Sequence, residues 1–246
     1  SRIDKENQVF FLESYGMGNT SGDDKILSYK DVVLRRSDLD ILNGPDFLND
    51  RVIEFYLSYL STLHTSPTTI SLIPPCITFW ISNCPDAESL KDFMKPLKLR
   101  DSELLIFPVN NNENVELAEG GSHWSLLVYY KEANSFFHHD SFMGVNRWNA
   151  KQLFKAISPF VSDDGAAAAA YRECSDTPQQ KNWYDCGVYA LAIAKVICQW
   201  FSSEGMKNRD DLWFTDVKET VPDLVKHLRE DILELINKLM SVSASK

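Results

Sequence analysis

The residues with the clearest chemical potential form the stretch Gln180–Gly187, in which a cysteine follows a polar, amide-rich turn. The run Val188–Phe201 behind it is apolar almost all round, with Lys195 as its lone charge, which is typical of a buried helix. Unpaired N–H groups and the macrodipole at a helix start favour an anion, so Cys186 stands where a thiolate is stabilised. Gly187 allows another backbone or a substrate to approach closely. The alternative is an ordinary buried thiol, so the interpretation as a nucleophile depends on finding a base.

Two strand candidates supply a base and a group to orient it. The segments His123–Tyr130 and Ser135–Asp140 are rich in β-branched and aromatic residues, and the connection between them has the length of a hairpin loop. If Tyr130 pairs with Ser135, Asp140 becomes the diagonal neighbour of His123 on the same face of the sheet. A register slip of one residue would place Asp140 on the opposite face.

These residues together predict a thiol–imidazole–carboxylate triad of Cys186, His123 and Asp140. His123 would take the thiol proton and later return it to the leaving amine. Gln180 would aim its side-chain amide at the developing oxyanion, with the backbone N–H of Cys186 as second donor, and one such donor is worth roughly 3 kcal/mol of barrier. Taken singly, His123 could be structural and Asp140 a strand-end turn residue.

The other four histidines are weaker candidates for the base. His138 would share the face of the aspartate but lies deeper along the hairpin, and His139 points to the other face. His64 and His227 fall within helical patterns. His123 is better placed because a long polar loop delivers the chain to it.

The elements that position these residues alternate between helical and strand patterns. Glu103–Val109 is a third strand candidate, so three segments predict the core of a sheet. Arg51–Leu60 has apolar residues at helical spacing behind the candidate caps Asn49 and Asp50. A last helix is predicted over Pro222–Met240, with the proline in its first turn.

The chain of 246 residues, 44% of them hydrophobic, has ample apolar content for one packed domain. We predict a flexible leader over residues 1–24, a single domain over 25–241 and a flexible tail over 242–246. The run Ala166–Ala170 is a low-complexity connector to which no function is assigned.

Composition excludes several classes of function. A net charge of −10 repels nucleic acid and suits a basic protein or peptide substrate, although solubility alone would also explain it. The five cysteines are odd in number, form no C-x-x-C pair and are not matched by clustered histidines, so neither a metal nor a cofactor is implied. No apolar run approaches the roughly 20 residues that span a bilayer. We expect a nuclear or cytosolic protein.

The combination of His123-Trp124-Ser125, Asp140-Ser141 and Gln180–Gly187 resembles the Ulp/sentrin-specific cysteine protease family, which removes ubiquitin-like modifiers from proteins. The order His, Asp, Gln, Cys matches that family, and the resemblance runs from about Ile26 to Phe201. It implies an α+β papain-like fold in which helices flank a mostly antiparallel central sheet.

Two segments, Gly120–Tyr129 and Asn134–Ser141, look more like the plant-like deneddylase branch than the SUMO proteases. The resemblance therefore implies cleavage after the C-terminal diglycine of a Nedd or Rub type modifier. The reaction would be deconjugation from lysine, precursor processing or both, and cullins are the expected conjugates. The alternatives are a SUMO protease of the same family and a modifier-binding module whose triad is unused.

The same resemblance implies a substrate-binding role for Phe47, Asp50 and Trp124. Phe47 stands where relatives carry tryptophan before Leu-Asn-Asp. Phe47 above and Trp124 below would form a tunnel that only glycine can thread, because bulkier tails would clash. Asp50 would bind the basic tail that precedes the diglycine. The plainer roles are a hydrophobic staple for Phe47 and a helix cap for Asp50.

Overall fold

The computed structural model describes residues 23–64, 70–114, 116–117, 120–161, 167–203 and 212–244. Its seven strands are β1 Lys25–Tyr29, β2 Val32–Arg35, β3 Ile70–Leu72, β4 Leu104–Asn110, β5 Trp124–Tyr130, β6 Ser135–His139 and β7 Ala170–Glu173. Its eight α-helices are α1 Arg36–Asn43, α2 Asp50–Leu63, α3 Pro75–Asn83, α4 Ala87–Met94, α5 Arg147–Val161, α6 Cys186–Ser202, α7 Phe214–Leu224 and α8 Leu228–Ala244. The predicted α+β class is confirmed. Among the described residues, no helix is both long and apolar enough to cross a membrane.

The main sheet has the strand order β3-β4-β5-β6-β7. Its three inner strands are antiparallel, as predicted, whereas each short edge strand runs parallel to its neighbour. In the central hairpin Tyr130 pairs with Ser135 and Leu126 with His139, which confirms the predicted register. Asn134 closes the hairpin loop with a left-handed φ of 41°. Because the register is fixed, the residues beyond both strand ends meet at one edge of the sheet.

Two hydrophobic cores cover the two faces of this sheet. On one face, α6 packs against β5 and α2 packs against α6, so these helices form one core with alternate residues of β4 and β5, and α7 and α8 extend that core. On the other face, α3 and α5 pack against the intervening residues of the same strands. The strands are thus buried on both sides, which explains why they read as continuous apolar runs. Helix α6 is the most enclosed helix, with 13 buried residues out of 17.

The C-terminal region differs from the predicted helix over 222–240. It contains two helices, α7 and α8, and Pro222 lies in the last turn of α7 rather than in a first turn. Proline removes one backbone N–H donor, and α7 ends two residues later. The apolar residues after the break, among them Leu228, Ile232 and Ile236, belong to α8 and are buried. The predicted apolar positions were correct, but they belong to two helices. The spacing of apolar residues alone does not reveal where the first helix ends.

Residues 1–22 of the predicted leader and residues 245–246 of the tail lie outside the described residues. Asp23 and Asp24 are joined to the start of α1, since Ser37 Oγ donates to Asp23 at 2.7 Å and Arg36 N–H donates to the Asp24 carbonyl at 2.9 Å. Ala166 of the alanine run also lies outside the described residues, and the last alanine of the run begins β7.

Candidate active site

Cys186 is the first residue of α6 and is buried. Asp185 precedes it at the N-cap position, but its carboxylate accepts from Asn182 Nδ2 at 2.7 Å and Arg229 Nη2 at 2.9 Å instead of capping the helix. Asn182 Oδ1 in turn accepts from the N–H groups of Tyr184 and Asp185 at 3.2 and 2.9 Å, which fixes the turn before the helix. Because the Asp185 side chain does not occupy the first-turn N–H groups, the helix start favours an anion at Cys186.

His123 lies immediately before β5 and is buried. Its Nε2 is 2.7 Å from Asp140 Oδ1, and Cys186 is close enough to the imidazole to raise its pKa. Burial lowers the pKa of His123, but the hydrogen bonds and charges of Asp140 and Cys186 outweigh burial and raise this pKa to about 9. The structure thus brings the three predicted triad residues together, with the imidazole between the thiol and the carboxylate.

Asp140 is clamped by backbone donors as well as by the imidazole. Its Oδ1 also accepts from the N–H of Phe142 at 2.9 Å, and its Oδ2 accepts from the N–H of Asn146 at 2.9 Å. Burial raises the pKa of Asp140, but the hydrogen bonds from His123, Asn146 and Phe142 lower it below its ordinary value. The group facing His123 is therefore a fixed carboxylate anion.

The backbone of His123 is held by the polar loop that precedes β5. Asn111 Oδ1 accepts from the N–H groups of Ser122 and His123 at 2.7 and 3.0 Å. Gly121 has a φ of 83°, and a Cβ at this position would overlap the side chain of Asn110, so only glycine fits. Asn111 was not predicted as a site residue. Its only sign in the sequence was its place in a long polar loop leading to His123.

Asn146 is a second positioning residue that the sequence did not indicate. It is fully buried, and its Nδ2 lies 3.1 Å from each of three acceptors: the carbonyl oxygens of Val109 and His123 and the hydroxyl of Ser125. Its backbone N–H bonds Asp140, so one residue joins the ends of β4 and β5 to the carboxylate. A single asparagine in a turn carries no periodic signal.

Gln180 lies between the loop after Asp140 and the turn before α6. Its Oε1 accepts from Ser141 Oγ at 2.7 Å, and its Nε2 donates to the carbonyl of Asn182 at 2.8 Å. A primary amide has two N–H groups, so the bond to Asn182 does not exhaust its donors. Its role as an oxyanion donor stays a prediction.

The two predicted aromatic residues, Phe47 and Trp124, differ in burial and in the residues that they contact. Phe47 is half-buried and meets the edge of Trp183, with ring centroids 5.9 Å apart, and Trp183 is 72% exposed. Trp124 is buried, and its indole N–H donates to the carbonyl of Leu48 at 2.7 Å. A Cβ on Gly187 would lie 2.9 Å from Leu48 Cβ, so the glycine lets this segment pack against α6. Trp183, which no pattern singled out, is thus the exposed ring beside Phe47.

Asp50 is the first residue of α2, and Asn49 is its N-cap, since Asn49 Oδ1 accepts from the N–H of Val52 at 3.0 Å. Of the two predicted candidates, Asn49 is therefore the helix cap. Asp50 is half-buried and three residues from Phe47 in the chain. A role in binding the substrate tail stays a prediction.

The remaining histidines have other partners. His138 lies 2.9 Å from both Glu173 Oε2 and Ser125 Oγ, and His64 lies 2.6 Å from Ser202 Oγ. His139 accepts from the indole N–H of Trp213 at 2.9 Å. Within the described ranges, no group of three or more His, Cys, Asp or Glu side chains is arranged to hold a metal ion.

Comparison with known proteins identifies the family. Residues 46–237 match the model of the Ulp1 protease family, C-terminal catalytic domain. The chain belongs to the Ulp1 protease family. It is accordingly a cysteine-type peptidase, and the predicted family is confirmed.

Two relatives of this Ulp1-family protein are similar over most of its length. It is 79% identical to NEDD8-specific protease 1 of Arabidopsis thaliana over 230 residues, which cover 94% of this chain and all of the relative. It is 37% identical to human sentrin-specific protease 8 over 181 residues, which cover 73% of this chain and 84% of the relative. These matches support the predicted deneddylase branch.

A solved structure of a de-sumoylating protease has the same fold. It superposes with a TM-score of 0.67 over 92% of this chain and 94% of that chain, at 14% sequence identity. At that identity the likeness establishes the Ulp1-type protease fold and carries no information about which modifier is cleaved.

Proposed function

We propose that this protein is a thiol protease that cleaves after the C-terminal diglycine of a Nedd or Rub type modifier. The observation that carries the proposal is the 79% identity to a NEDD8-specific protease across 94% of the chain. The position of His123 beside both Cys186 and Asp140 independently supports the thiol-protease chemistry, because this arrangement suits acyl transfer. The bond cleaved is either an isopeptide bond to lysine or the peptide bond of a precursor.

In the proposed reaction, Cys186 loses its proton to His123 and its sulfur attacks the carbonyl carbon of the terminal glycine. Asp140 keeps the imidazole oriented and stabilises its protonated form. The carbonyl oxygen becomes an oxyanion that accepts from the backbone N–H of Cys186 and the amide of Gln180. When the C–N bond breaks, His123 returns the proton to the amine, and a thioester remains on Cys186. Water, deprotonated by His123, then releases the modifier as a free acid.

The burial around the thiol suits a narrow substrate. Cys186 is buried, so a substrate tail must be narrow to reach its thiol. A diglycine tail has no side chains and fits such a space, whereas bulkier residues would clash. We assign to Phe47 and Trp183 the lining of the path by which the modifier tail reaches Cys186. Asp50 would bind the basic residues before the diglycine. Tail recognition of this kind would reject proteins that end in larger residues.

We further propose that the conjugates include cullins and that the protein acts in the nucleus or the cytoplasm. All five cysteines are free thiols in the described residues, which fits a reducing compartment. The cullin assignment follows from the resemblance to deneddylases. No metal or cofactor is needed for the proposed steps.

A panel of covalent probes tests the proposal. Nedd or Rub, SUMO and ubiquitin, each carrying a C-terminal vinyl group, are offered to the wild-type protein, and covalent adducts are counted by mass spectrometry. We expect an adduct with the Nedd or Rub probe that disappears in Cys186→Ala and persists in the control Cys84→Ala. Labelling by SUMO without labelling by Nedd or Rub would overturn the modifier assignment. Persistence of the adduct in Cys186→Ala would overturn the nucleophile.

A further inference from the structure

Exposed apolar side chains concentrate in one short segment of the protein. Of the nine large hydrophobic residues that are exposed in the described part of the chain, four lie within residues 142–148: Phe142, Met143, Val145 and Trp148. Met143 is 86% exposed and Trp148 is 58% exposed. These four residues are named the 142–148 patch. Single exposed apolar residues are ordinary, but a cluster of this kind marks an interaction site.

The backbone beneath the patch is fastened to the candidate active site. The N–H of Phe142 donates to Asp140 Oδ1 at 2.9 Å, and the N–H of Met143 donates to Gln179 Oε1 at 2.8 Å. Met143 has a left-handed φ of 54°, which costs a non-glycine residue roughly 1 kcal/mol. Packing does not account for this conformation, because the Met143 side chain is almost fully in solvent. An ordered loop that displays apolar side chains loses little entropy when a partner binds.

The position of the patch relative to the scissile bond follows from the proposed chemistry. The leaving amine must lie within hydrogen-bond reach of His123, which protonates it. The ring of Phe142 contacts the imidazole of His123, with centroids 5.9 Å apart. The pair of Phe47 and Trp183 instead adjoins the turn that leads into Cys186, which carries the acyl group. The patch therefore borders the amine side of the bond, and the Phe47–Trp183 pair borders the acyl side.

Helix α5 adds a positive border to the patch. It carries Arg147, Lys151 and Lys155, all exposed, and no acidic residue. Arg147 is paired with Glu173, with Nε 3.4 Å from Oε1, so the two lysines supply most of the positive charge. Spacing by four residues places these cations along one face of the helix. The whole protein has a net charge of −10, so this local basic stripe departs from the rest of the surface. A partner that binds here would present apolar side chains bordered by acidic ones.

We propose that the 142–148 patch docks the protein from which the modifier is removed, through an apolar surface with acidic neighbours on that protein. This inference rests on the proposed function, since it takes His123 as the donor to the leaving amine. It assigns the two sides of the cleft to different partners. The modifier is held at the acyl side, and the lysine-bearing protein is held at the amine side.

The test compares substrates that share a modifier and differ in the leaving group. The first substrate is the Nedd or Rub modifier joined to aminocoumarin, and the second is the same modifier joined to a lysine of a cullin. The variant Met143→Ser/Trp148→Ser removes the two most exposed side chains of the patch. It leaves Phe142, which contacts His123, in place. Leu63→Ser, which changes a residue that is 54% exposed at the end of α2, is the matched control. The Nedd or Rub vinyl probe reports on the thiol and the acyl side alone.

We expect the double variant to lower kcat/KM for the cullin conjugate about tenfold, as for a moderate interface contact, while aminocoumarin release and probe labelling keep their wild-type rates. Lys155→Glu should also slow only the conjugate and flatten its salt dependence, in contrast to the exposed control Lys218→Glu. An equal loss with both substrates and with the probe would overturn the proposal, because the patch would then act on the modifier or on the chemistry. No loss on the conjugate would overturn it as well. If the wild type fails to react with the Nedd or Rub probe, the proposed function itself fails. That result is distinct from an equal loss in the variant and from no loss on the conjugate.

Discussion

Two buried histidines on neighbouring parts of the same hairpin have opposite acid–base properties. His123 and His139 are only 4% and 2% exposed, yet the pKa of His123 is raised to about 9 and that of His139 is lowered to about 3. Burial lowers the pKa of both rings. His123 faces the Asp140 carboxylate and the Cys186 thiol, whereas His139 faces the hydroxyl of Thr177 and the indole of Trp213.

The partners of His139 also fix its tautomer. The indole N–H of Trp213 can only donate, so Nε2 of His139 must accept and its proton must sit on Nδ1, 3.0 Å from Thr177 Oγ1. The Thr177 hydroxyl itself donates to the carbonyl of Cys174 at 2.8 Å, so it is free to accept from Nδ1. His139 is therefore a neutral structural residue, and its contrast with His123 shows that an adjacent carboxylate and thiol can offset the lowering of the pKa by burial.

Removing the anion from His123 should have the largest effect. In Asp140→Asn the imidazole loses its orienting charge, and by analogy with other triads kcat/KM should fall about 10³- to 10⁴-fold in a modifier–aminocoumarin assay. Glu173→Gln is the matched control, because it removes a carboxylate from His138 on the same strand. A small loss in Asp140→Asn, comparable with that of the control, would contradict the role given to the carboxylate.

The pH dependence of activity should show the raised pKa directly. Because the leaving amine needs a proton from His123, wild-type kcat/KM should decline as the pH rises through about 9. In Asp140→Asn the ring keeps its burial but loses the largest raising contribution, so the alkaline limb should move to lower pH. A limb that stays in place in this variant would mean that the carboxylate does not set the pKa.

Removing His139 should affect stability more than chemistry. His139→Leu leaves the indole N–H of Trp213 and the hydroxyl of Thr177 without their partner, at a cost of about 2 to 3 kcal/mol in the free energy of unfolding. In the double variant His139→Leu/Trp213→Phe both partners are apolar, so its cost in urea denaturation should be clearly less than the sum of the two single variants. Strict additivity would show that the hydrogen bond contributes nothing.

The sequence predicted the positions of the candidate triad residues better than those of their surroundings, because these residues follow strong local rules. Strand alternation predicted the hairpin register and the closeness of Asp140 to His123, and the polar turn before an apolar run predicted the start of α6 at Cys186. Each of these inferences uses a period or a boundary that is visible over a few residues. Taken with the family motif, they predicted that His123, Asp140 and Cys186 lie close together.

The parts that could not be predicted depend on contacts between distant segments. Asn146 bonds two strand ends through one side chain, and Trp183 meets Phe47 from more than a hundred residues away. The edge strands β3 and β7 have three and four residues, too few to reveal their direction. The division between α7 and α8 was missed because apolar residues keep helical spacing on both sides of Pro222.

The two histidines should also give opposite slopes of stability with pH. The folded-state pKa of His123 is above its unfolded value of about 6.5, so its stabilisation is complete below that pH and is lost as the pH rises through about 9. The folded-state pKa of His139 is below the same value, so its stabilisation is present above about 6.5 and is lost as the pH falls towards 3. The free energy of unfolding of the wild type minus that of His123→Gln should shrink between pH 6.5 and 9. The corresponding difference for His139→Leu should shrink between pH 6.5 and 5. Slopes of the same sign would mean that both rings lie in similar electrostatic environments, which the bonds to Asp140 and Trp213 argue against.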